Sequence, residues 1–255
     1  EWEDLFHQLH RNEEELNLKF IEIYGLQDEL TPDVPLDEIT ILQKGEISIE
    51  DNQIVWHKDV VIKQFISWMV GCFMGRYSAD KPGLIIASQG QKIEDLDLPS
   101  MILEIDDDGI IPIIQESDFF TDDMTQRIET GMKALFGERN FYDNMKYIKA
   151  SLGQELRDYL YKDYYDDHLQ MYSVKGAKRP IYWLFSSKMG DKKKKGYFKA
   201  LVYMHRMESD TLSKLHADYV SPYIDKLELQ LKEAEDDAVR DDLSQAQRNK
   251  ANKLA

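Results

Sequence analysis

Two apolar runs separated by a lysine-rich segment constrain the fold of this chain more than any other feature of its sequence. The runs are residues 181–185 and 197–204, and both are rich in aromatic and β-branched side chains, which favour strands. The segment 189–196 between them has glycine near both ends and four consecutive lysines, which is typical of an exposed turn. Because most positions in both runs are apolar, neither strand face can stay in water, so we predict a central apolar hairpin at about 179–204.

Helical periodicity dominates much of the remaining chain, with apolar residues recurring every three or four positions. The helices expected from this pattern cover residues 2–24, 58–74, 121–137, 140–150 and 154–172, and a final helix that begins at Asp210-Thr211 and is kinked or restarted at Pro222. Short strands are expected at 39–42, 46–49, 53–56, 83–87, 101–105 and 110–114. The sequence therefore predicts an α+β fold that is mostly helical, with small antiparallel sheets, the central hairpin and a long C-terminal helix.

The charge of the chain is unevenly distributed. The net charge over 255 residues is −16, yet residues 175–199 hold nine lysines or arginines against one acidic residue, Asp191. That stretch carries +8 and the remainder −24. Two interpretations stay open: the lysines are a solvated loop that keeps a strand edge soluble, or they form a tip that contacts phosphates.

Three other features also allow more than one interpretation. Arg76 follows the second helix and either pairs with a local carboxylate or helix-end carbonyls, or contacts a phosphate or base. The tyrosines of 154–172 are either core residues with hydroxyls at the rim or base-stacking groups. His205 beside Arg206 suggests a capping or hydrogen-bonding role more than general acid/base catalysis.

No constellation for independent catalysis or metal binding emerges. A calcium loop counted from Glu104 through Asp106-Asp107-Asp108-Gly109 would have Gln115 instead of glutamate at its twelfth position, so a turn is the better explanation. His7 and His10 lack an evident third zinc ligand, and the chain has no Glu-x-Lys of a metal-dependent nuclease. A single cysteine and no apolar run of about 20 residues favour a cytoplasmic location without a membrane span.

Several segments resemble the PglX family, the adenine-specific DNA methyltransferases of BREX phage-defence systems. RPIYWLFSS at 179–187 and FKALVYMHR at 198–206 are similar to the C-terminal signature of that family. Residues 12–32 and 65–84 fit it as well, and the resemblance covers about 2–230. It covers only the back part of the family's longer protein. The first residue is Glu1 instead of methionine, so we expect an excised piece.

The resemblance implies a division of labour between this chain and a catalytic part. The chain has no Pro-Pro pair for an adenine-holding segment and no glycine-rich turn for S-adenosylmethionine, so no catalytic or cofactor residue is carried over and the cofactor is expected only in the full-length parent. Residues 1–30 would be a linking helix, 31–206 the recognition domain and 207–255 a helical segment.

DNA target recognition and support of the catalytic part are the expected functions, with duplex DNA and other BREX subunits as candidate partners. The alternative is a protein-interaction module that docks other defence subunits or a second copy. The candidate DNA contacts are basic side chains, with lysines suited to phosphates and arginines to bases. They are Arg76, Lys178, Arg179, Lys188, Lys192, Lys193, Lys194 and Lys195.

Overall fold

The computed structural model describes residues 2–39, 45–51, 53–95, 101–115, 119–174, 176–187 and 197–239. The α-helices are α1 Trp2–Tyr24, α2 Lys58–Phe73, α3 Met124–Phe136, α4 Phe141–Leu152, α5 Leu156–Lys162, α6 Tyr164–Met171, α7 Thr211–Lys214 and α8 Ser221–Val239. The strands are β1 Ile47–Glu50, β2 Gln53–Trp56, β3 Ile110–Pro112, β4 Ser173–Val174, β5 Ala177–Lys178, β6 Tyr182–Ser186 and β7 Lys199–Tyr203. All pairings are antiparallel, which confirms the predicted α+β class.

The chain divides into two compact units, residues 1–64 and 65–255. In the first unit, α1 and the β1–β2 hairpin share a small core of Phe6, Ile39 and Ile47, each at most 3% exposed. Strands β1 and β2 lie within one residue of their predicted places. Most of the strand expected at 39–42 lies outside the described residues. The domain limits at 30 and 206 stay predictions.

A three-stranded sheet of order β3-β7-β6 lies at the centre of the second unit. Strand β7 is the middle strand, and its residues Ala200 to Tyr203 are fully buried. Its partner β6 pairs in a register that sets Tyr182 opposite Tyr203 and Ser186 opposite Lys199. The predicted central hairpin is thereby confirmed, but β6 is an edge strand whose Trp183 is 48% exposed, so the expectation that neither strand face stays in water is wrong for β6.

The C-terminal half of α2 forms a second part of this core. Ile66, Met69 and Val70 are completely buried, as expected for a helix that is apolar around most of its girth. Helix α3 approaches closely at Gly131, where an added Cβ would lie 2.7 Å from the Met69 methyl carbon. Small size at position 131 therefore sets the spacing between the two helices.

Helix α3 begins two residues later than the Thr121 signal suggested. Asp123 is its N-cap, and the Asp123 carboxylate accepts a hydrogen bond from the Gln126 backbone N–H at 2.9 Å. Asp123 is completely buried and also pairs with the guanidinium of Arg157. Gly137 ends the helix as predicted, with a φ of 81°.

Two of the expected strands are absent from the described backbone. Residues 83–87 and 101–105 form bends and irregular backbone instead: the first segment bonds to the end of α2, and in the second the Ile102 N–H donates to the Asp80 carboxylate at 2.9 Å. Ile85 and Ile86 donate backbone hydrogen bonds to Arg76 and Gly75, at 2.9 and 3.0 Å. The single helix expected at 154–172 is also wrong, since it divides into α5 and α6 at Asp163.

The helical segment that follows β7 contains a π-helical turn just before Pro222. Helix α7 continues through a π-helical turn, Leu215–Val220, into α8. Proline lacks a backbone N–H and crowds the preceding turn, and a wider π turn relieves that conflict. Pro222 is thus accommodated near the start of α8, in agreement with the predicted restart.

Candidate nucleic-acid interface

Arg76, which follows the end of α2, lies in a cluster of aromatic side chains. Its guanidinium donates hydrogen bonds to the hydroxyls of Tyr77 and Tyr203, each at 3.4 Å. The guanidinium carbon lies 5.6 Å from the Tyr77 ring centre and 6.0 Å from that of Tyr172. No carboxylate pairs with Arg76 within the described part of the chain, so the local ion pair considered for it is not observed there. The partners of its charged guanidinium are tyrosine hydroxyls and tyrosine ring faces.

A buried histidine packs against the tyrosine rings of this cluster. His168 is 1% exposed, and its ring centre lies 4.8 Å from those of Tyr172 and Tyr182. Burial, together with the nearby Arg76 charge, lowers the pKa of His168 to about 4. His168 is therefore neutral at pH 7. We call this group the Arg76 cluster, and it comprises Arg76, Tyr77, His168, Tyr172, Tyr182 and Tyr203.

Two more of the predicted DNA-contacting residues adjoin the Arg76 cluster. Lys178 and Arg179 are exposed at the end of the small β4–β5 hairpin. The backbone N–H of Arg179 donates to the Tyr172 carbonyl at 3.0 Å. Since Tyr172 also faces Arg76, the fold brings these three predicted residues into one neighbourhood.

The predicted lysine tip attaches elsewhere on the sheet. Lys188 and Lys192 to Lys195 lie outside the described residues. Their segment follows Ser187 and ends before Tyr197, and the Ser187 hydroxyl accepts the backbone N–H of Tyr197 at 3.0 Å. Tyr182, in the Arg76 cluster, is at the other end of β6, about 13 Å away at the rise of an extended strand. The predicted residues therefore belong to opposite ends of one hairpin.

The pair His205-Arg206 has a hydrogen-bonding role, as the sequence suggested. His205 Nδ1 lies 3.3 Å from the Tyr203 hydroxyl, and Arg206 donates to the Asp107 carbonyl at 2.7 Å. Both side chains line an open cavity of about 410 Å³, together with residues 89–94 and parts of α7. The Arg76 cluster is thereby linked through Tyr203 to the wall of this cavity.

Asp106 organises the acidic turn beside that cavity. Its carboxylate accepts backbone N–H groups from Asp108, Gly109 and Ile110 at 2.6–3.2 Å and pairs with Arg127 at 2.7 Å. Burial raises the pKa of Asp106 to about 7, and the Arg127 charge opposes that rise. These contacts support the interpretation of residues 106–109 as a structural turn.

Sequence reasoning missed the tyrosines that surround Arg76. Tyr77 is adjacent to it, and Tyr172 closes the tyrosine-rich stretch, so both carried a weak local signal. Tyr203 carried none, because its contact with Arg76 joins residues 127 positions apart. In the tyrosine-rich stretch, Tyr159 and Tyr164 are buried at 1% exposure, which favours the core interpretation for these two.

Arg76, Tyr77 and Tyr172 are the half-buried members of the Arg76 cluster, and a guanidinium beside tyrosine rings has the chemistry to bind an anion or a planar ring. Over the described ranges, no group of three His, Cys, Asp or Glu is placed to hold a metal ion. Within the same ranges, none of the helices has the length and apolar character needed to cross a bilayer.

Comparison with known proteins gives a consistent family relationship. No family model matches the chain. It is 32% identical over 269 residues to the adenine-specific methyltransferase BrxX of Escherichia coli O9:H4 (strain HS), an alignment that covers 98% of this chain and 21% of that protein. It is 34% identical over 241 residues to the adenine-specific methyltransferase PglX of Lacticaseibacillus casei (strain Zhang), with 91% of this chain and 18% of that protein covered.

The chain thus spans about one fifth of the length of these curated relatives. The resemblance found in the sequence is confirmed, and the matches are consistent with a C-terminal region of a PglX-like protein.

Proposed function

Because this chain is similar along almost its whole length to part of the PglX-type adenine-specific methyltransferases, we propose that it is the non-catalytic C-terminal region of such an enzyme. In this proposal it contacts duplex DNA, helps to select the target site and supports the catalytic part. The parent enzyme would belong to a BREX-type phage-defence system and take its methyl group from S-adenosylmethionine. No residue of this chain is assigned to that cofactor.

The chemistry of adenine methylation explains why such a region is needed. The enzyme must extrude the target adenine from the duplex before it can reach the amino group. Selecting the site additionally requires side chains that reach base edges and phosphates around it. A region without catalytic motifs can supply these contacts.

The observation that carries the proposal is the neighbourhood of Arg76, Lys178 and Arg179. Arg76 has hydroxyl and ring partners instead of a carboxylate, so its charge is not neutralised by a local ion pair. Lys178 and Arg179 are exposed beside it, and Tyr172 provides a half-buried ring. Cations next to an aromatic face are the groups with which proteins bind nucleic-acid backbones and bases.

The overall acidity of the chain is compatible with a localised contact. Residues 1–64 hold 16 acidic and five basic side chains, a net of −11, so the second unit carries only −5 of the total. DNA would be repelled by the first unit and would approach the second near its basic side chains. The alternative of an interaction module is not favoured by the comparisons.

Duplex binding across a series of salt concentrations tests the proposal. In the intact protein, the double variant Lys178→Ala/Arg179→Ala should flatten the slope of log K against log salt by about 1–2, since each phosphate contact contributes about 0.9. The control is Lys146→Ala/Lys232→Ala, which removes two exposed lysines from α4 and α8. An equal slope for wild type, the double variant and the control would show that Lys178 and Arg179 do not contact DNA.

A further inference from the structure

The loop at residues 87–92, which we call the glutamine loop, is held in place at its first residue. Ile85 and Ile86 precede it and donate backbone hydrogen bonds to Arg76 and Gly75. The Tyr203 hydroxyl donates to the Ile86 carbonyl. The loop therefore starts from a point fixed to both the end of α2 and the central strand of the sheet.

The glutamine loop is also fixed internally by one of its own side chains. The Gln91 carbonyl oxygen Oε1 accepts the backbone N–H groups of Ala87 at 2.8 Å and Ser88 at 2.9 Å. Gly90 turns the chain with a φ of 88°, a conformation that favours glycine. These bonds hold the loop backbone and the Gln91 side chain in a defined arrangement, which reduces the entropy cost of binding.

The side chains that this loop displays are donors and acceptors without negative charge. Gln89, Gln91 and Lys92 are exposed. Both side-chain hydrogen bonds of Gln91 use its oxygen, so its amide NH2 takes part in no hydrogen bond with the described residues. Across residues 81–93 the sequence has two lysines and no acidic residue, in a chain of net charge −16.

We propose that the glutamine loop is a base-reading element, in which the amides of Gln89 and Gln91 contact base edges in a groove of duplex DNA. This inference rests on the proposed function, because it assigns sequence selection to one part of the same interface. A glutamine amide can donate and accept at once, which matches the N6 and N7 pattern of adenine in the major groove. Lys92 offers donors to guanine or to a neighbouring phosphate.

The surroundings of the loop favour base edges over the phosphate backbone as its target. The cavity that it borders is also lined by the carboxylates of Glu94, Asp107, Asp108 and Glu208 against the cations of Arg206 and Lys214, so it presents no excess of positive charge to a phosphate. Lys178 and Arg179 are the better phosphate contacts, because both are exposed and no acidic residue pairs with them among the described residues. The structure thus separates a base-reading loop from the cations that position the duplex.

Selection of bound sequences from a random duplex library by the intact protein tests this assignment. Gln91→Glu keeps the oxygen that fixes the loop and removes the amide donors, while Gln89→Ala removes an exposed amide that makes no hydrogen bond with the described residues. The control Gln230→Glu makes the same chemical change on an exposed face of α8. Both loop variants should lose preference for at least one base of the wild-type motif by roughly 5- to 150-fold, and the control should keep it.

An unchanged motif for both loop variants would overturn the inference, as would a wild-type protein that enriches no sequence. If Gln91→Glu fails to fold, Gln89→Ala decides the question alone. The salt dependence of Lys178→Ala/Arg179→Ala separates this failure from that of the proposed function. If the Lys178→Ala/Arg179→Ala slope is flattened and the loop variants keep the wild-type motif, only base reading by the loop is rejected. If the slope and the motif are both unchanged, base reading by the loop and the proposed function are both rejected.

Discussion

The hydroxyl of Tyr203 accepts a hydrogen bond from the Arg76 guanidinium at 3.4 Å, although the two residues are 127 positions apart. The same hydroxyl donates to the Ile86 carbonyl and lies 3.3 Å from His205 Nδ1. A phenol has one donor and two acceptor positions, so His205 must donate from Nδ1 for all three bonds to coexist. One oxygen thus joins the Arg76 cluster, the glutamine loop and the cavity wall.

Replacing Tyr203 with phenylalanine should lower the free energy of unfolding by about 1–3 kcal/mol. The change leaves the buried Ile86 carbonyl without its donor and Arg76 with one acceptor fewer. Urea denaturation of wild type and variant measures the difference. Tyr197→Phe makes the same change on a ring that is 68% exposed and should remain within about 0.5 kcal/mol of wild type. Equal losses in the two variants would contradict the central role of the Tyr203 hydroxyl.

Asp123→Ala should be among the most destabilising single changes in this fold. It removes the N-cap of α3 and leaves the Arg157 guanidinium, which also donates to the Ile114 carbonyl at 2.9 Å, without its carboxylate. Loss of one partner of a buried pair costs about 3–5 kcal/mol. The midpoint of urea unfolding measures it.

An exposed ion pair provides the control for the Asp123 prediction. Glu155 pairs with Lys149, and both side chains are more than half exposed. Glu155→Gln should therefore cost less than about 1 kcal/mol. A similar cost for Asp123→Ala would mean that burial of the Arg157 pair contributes little.

Stability should fall with pH below about 6.5 because His168 is buried in its neutral form. Its folded-state pKa of about 4 lies below its usual value of 6.5. The unfolded state therefore binds more protons between these values, and the contribution present above pH 6.5 is lost as the pH falls towards 4. Between pH 7 and pH 5 the loss is on the order of 2 kcal/mol.

A His168→Gln variant isolates this effect from other titrating groups. Asp106 has the opposite effect on the pH dependence of stability. Its raised pKa of about 7 makes the folded state bind a proton more readily than the unfolded state. The comparison is therefore the difference in pH dependence between wild type and variant, measured by urea unfolding at pH 7 and pH 5. If the two curves stay parallel, His168 does not titrate as its burial implies.

Local sequence patterns were sufficient for the elements and insufficient for the site. The helix at 2–24 and the central hairpin follow from periodicity and strand propensity, which act over a few residues. The strand expected at 83–87 failed because its backbone groups bond to the end of α2, and at 101–105 the Ile102 N–H bonds to the Asp80 carboxylate instead of a neighbouring strand. Arg76 was a candidate from its type and place, and Tyr77 is adjacent to it, yet Tyr172 and Tyr203 come from two distant segments and share no local signal with it.

Changing Lys192 to Lys195 to alanine distinguishes a phosphate-contacting tip from a solvated loop. If the tip contacts DNA, the salt slope should flatten by up to about 4, since each phosphate contact contributes about 0.9. Its effect should add to that of Lys178→Ala/Arg179→Ala, because the two groups attach to opposite ends of the β6–β7 hairpin. The measurement is duplex binding between low and high salt. A solvated loop would leave the slope at its wild-type value.

Gly71→Ala tests whether the position of Tyr77 matters for DNA binding. An added Cβ at position 71 would lie 2.3 Å from Cδ2 of Tyr77, so the ring must shift from its place beside Arg76. Alanine is the better helix former by about 1 kcal/mol, but overpacking costs about 1–3 kcal/mol. We therefore expect a small net loss of stability together with weaker duplex binding.

Gly131→Ala is the matched control, because its added Cβ would meet Met69, Leu103 and Phe73 instead of the Arg76 cluster. It should lose a similar amount of stability and keep the wild-type affinity for duplex DNA. Affinity and unfolding are measured on the same preparations, at a temperature where both variants are more than 95% folded. Equal losses of affinity in the two variants would attribute the effect to stability, and the ring of Tyr77 would then have no separate part in holding Arg76 for DNA.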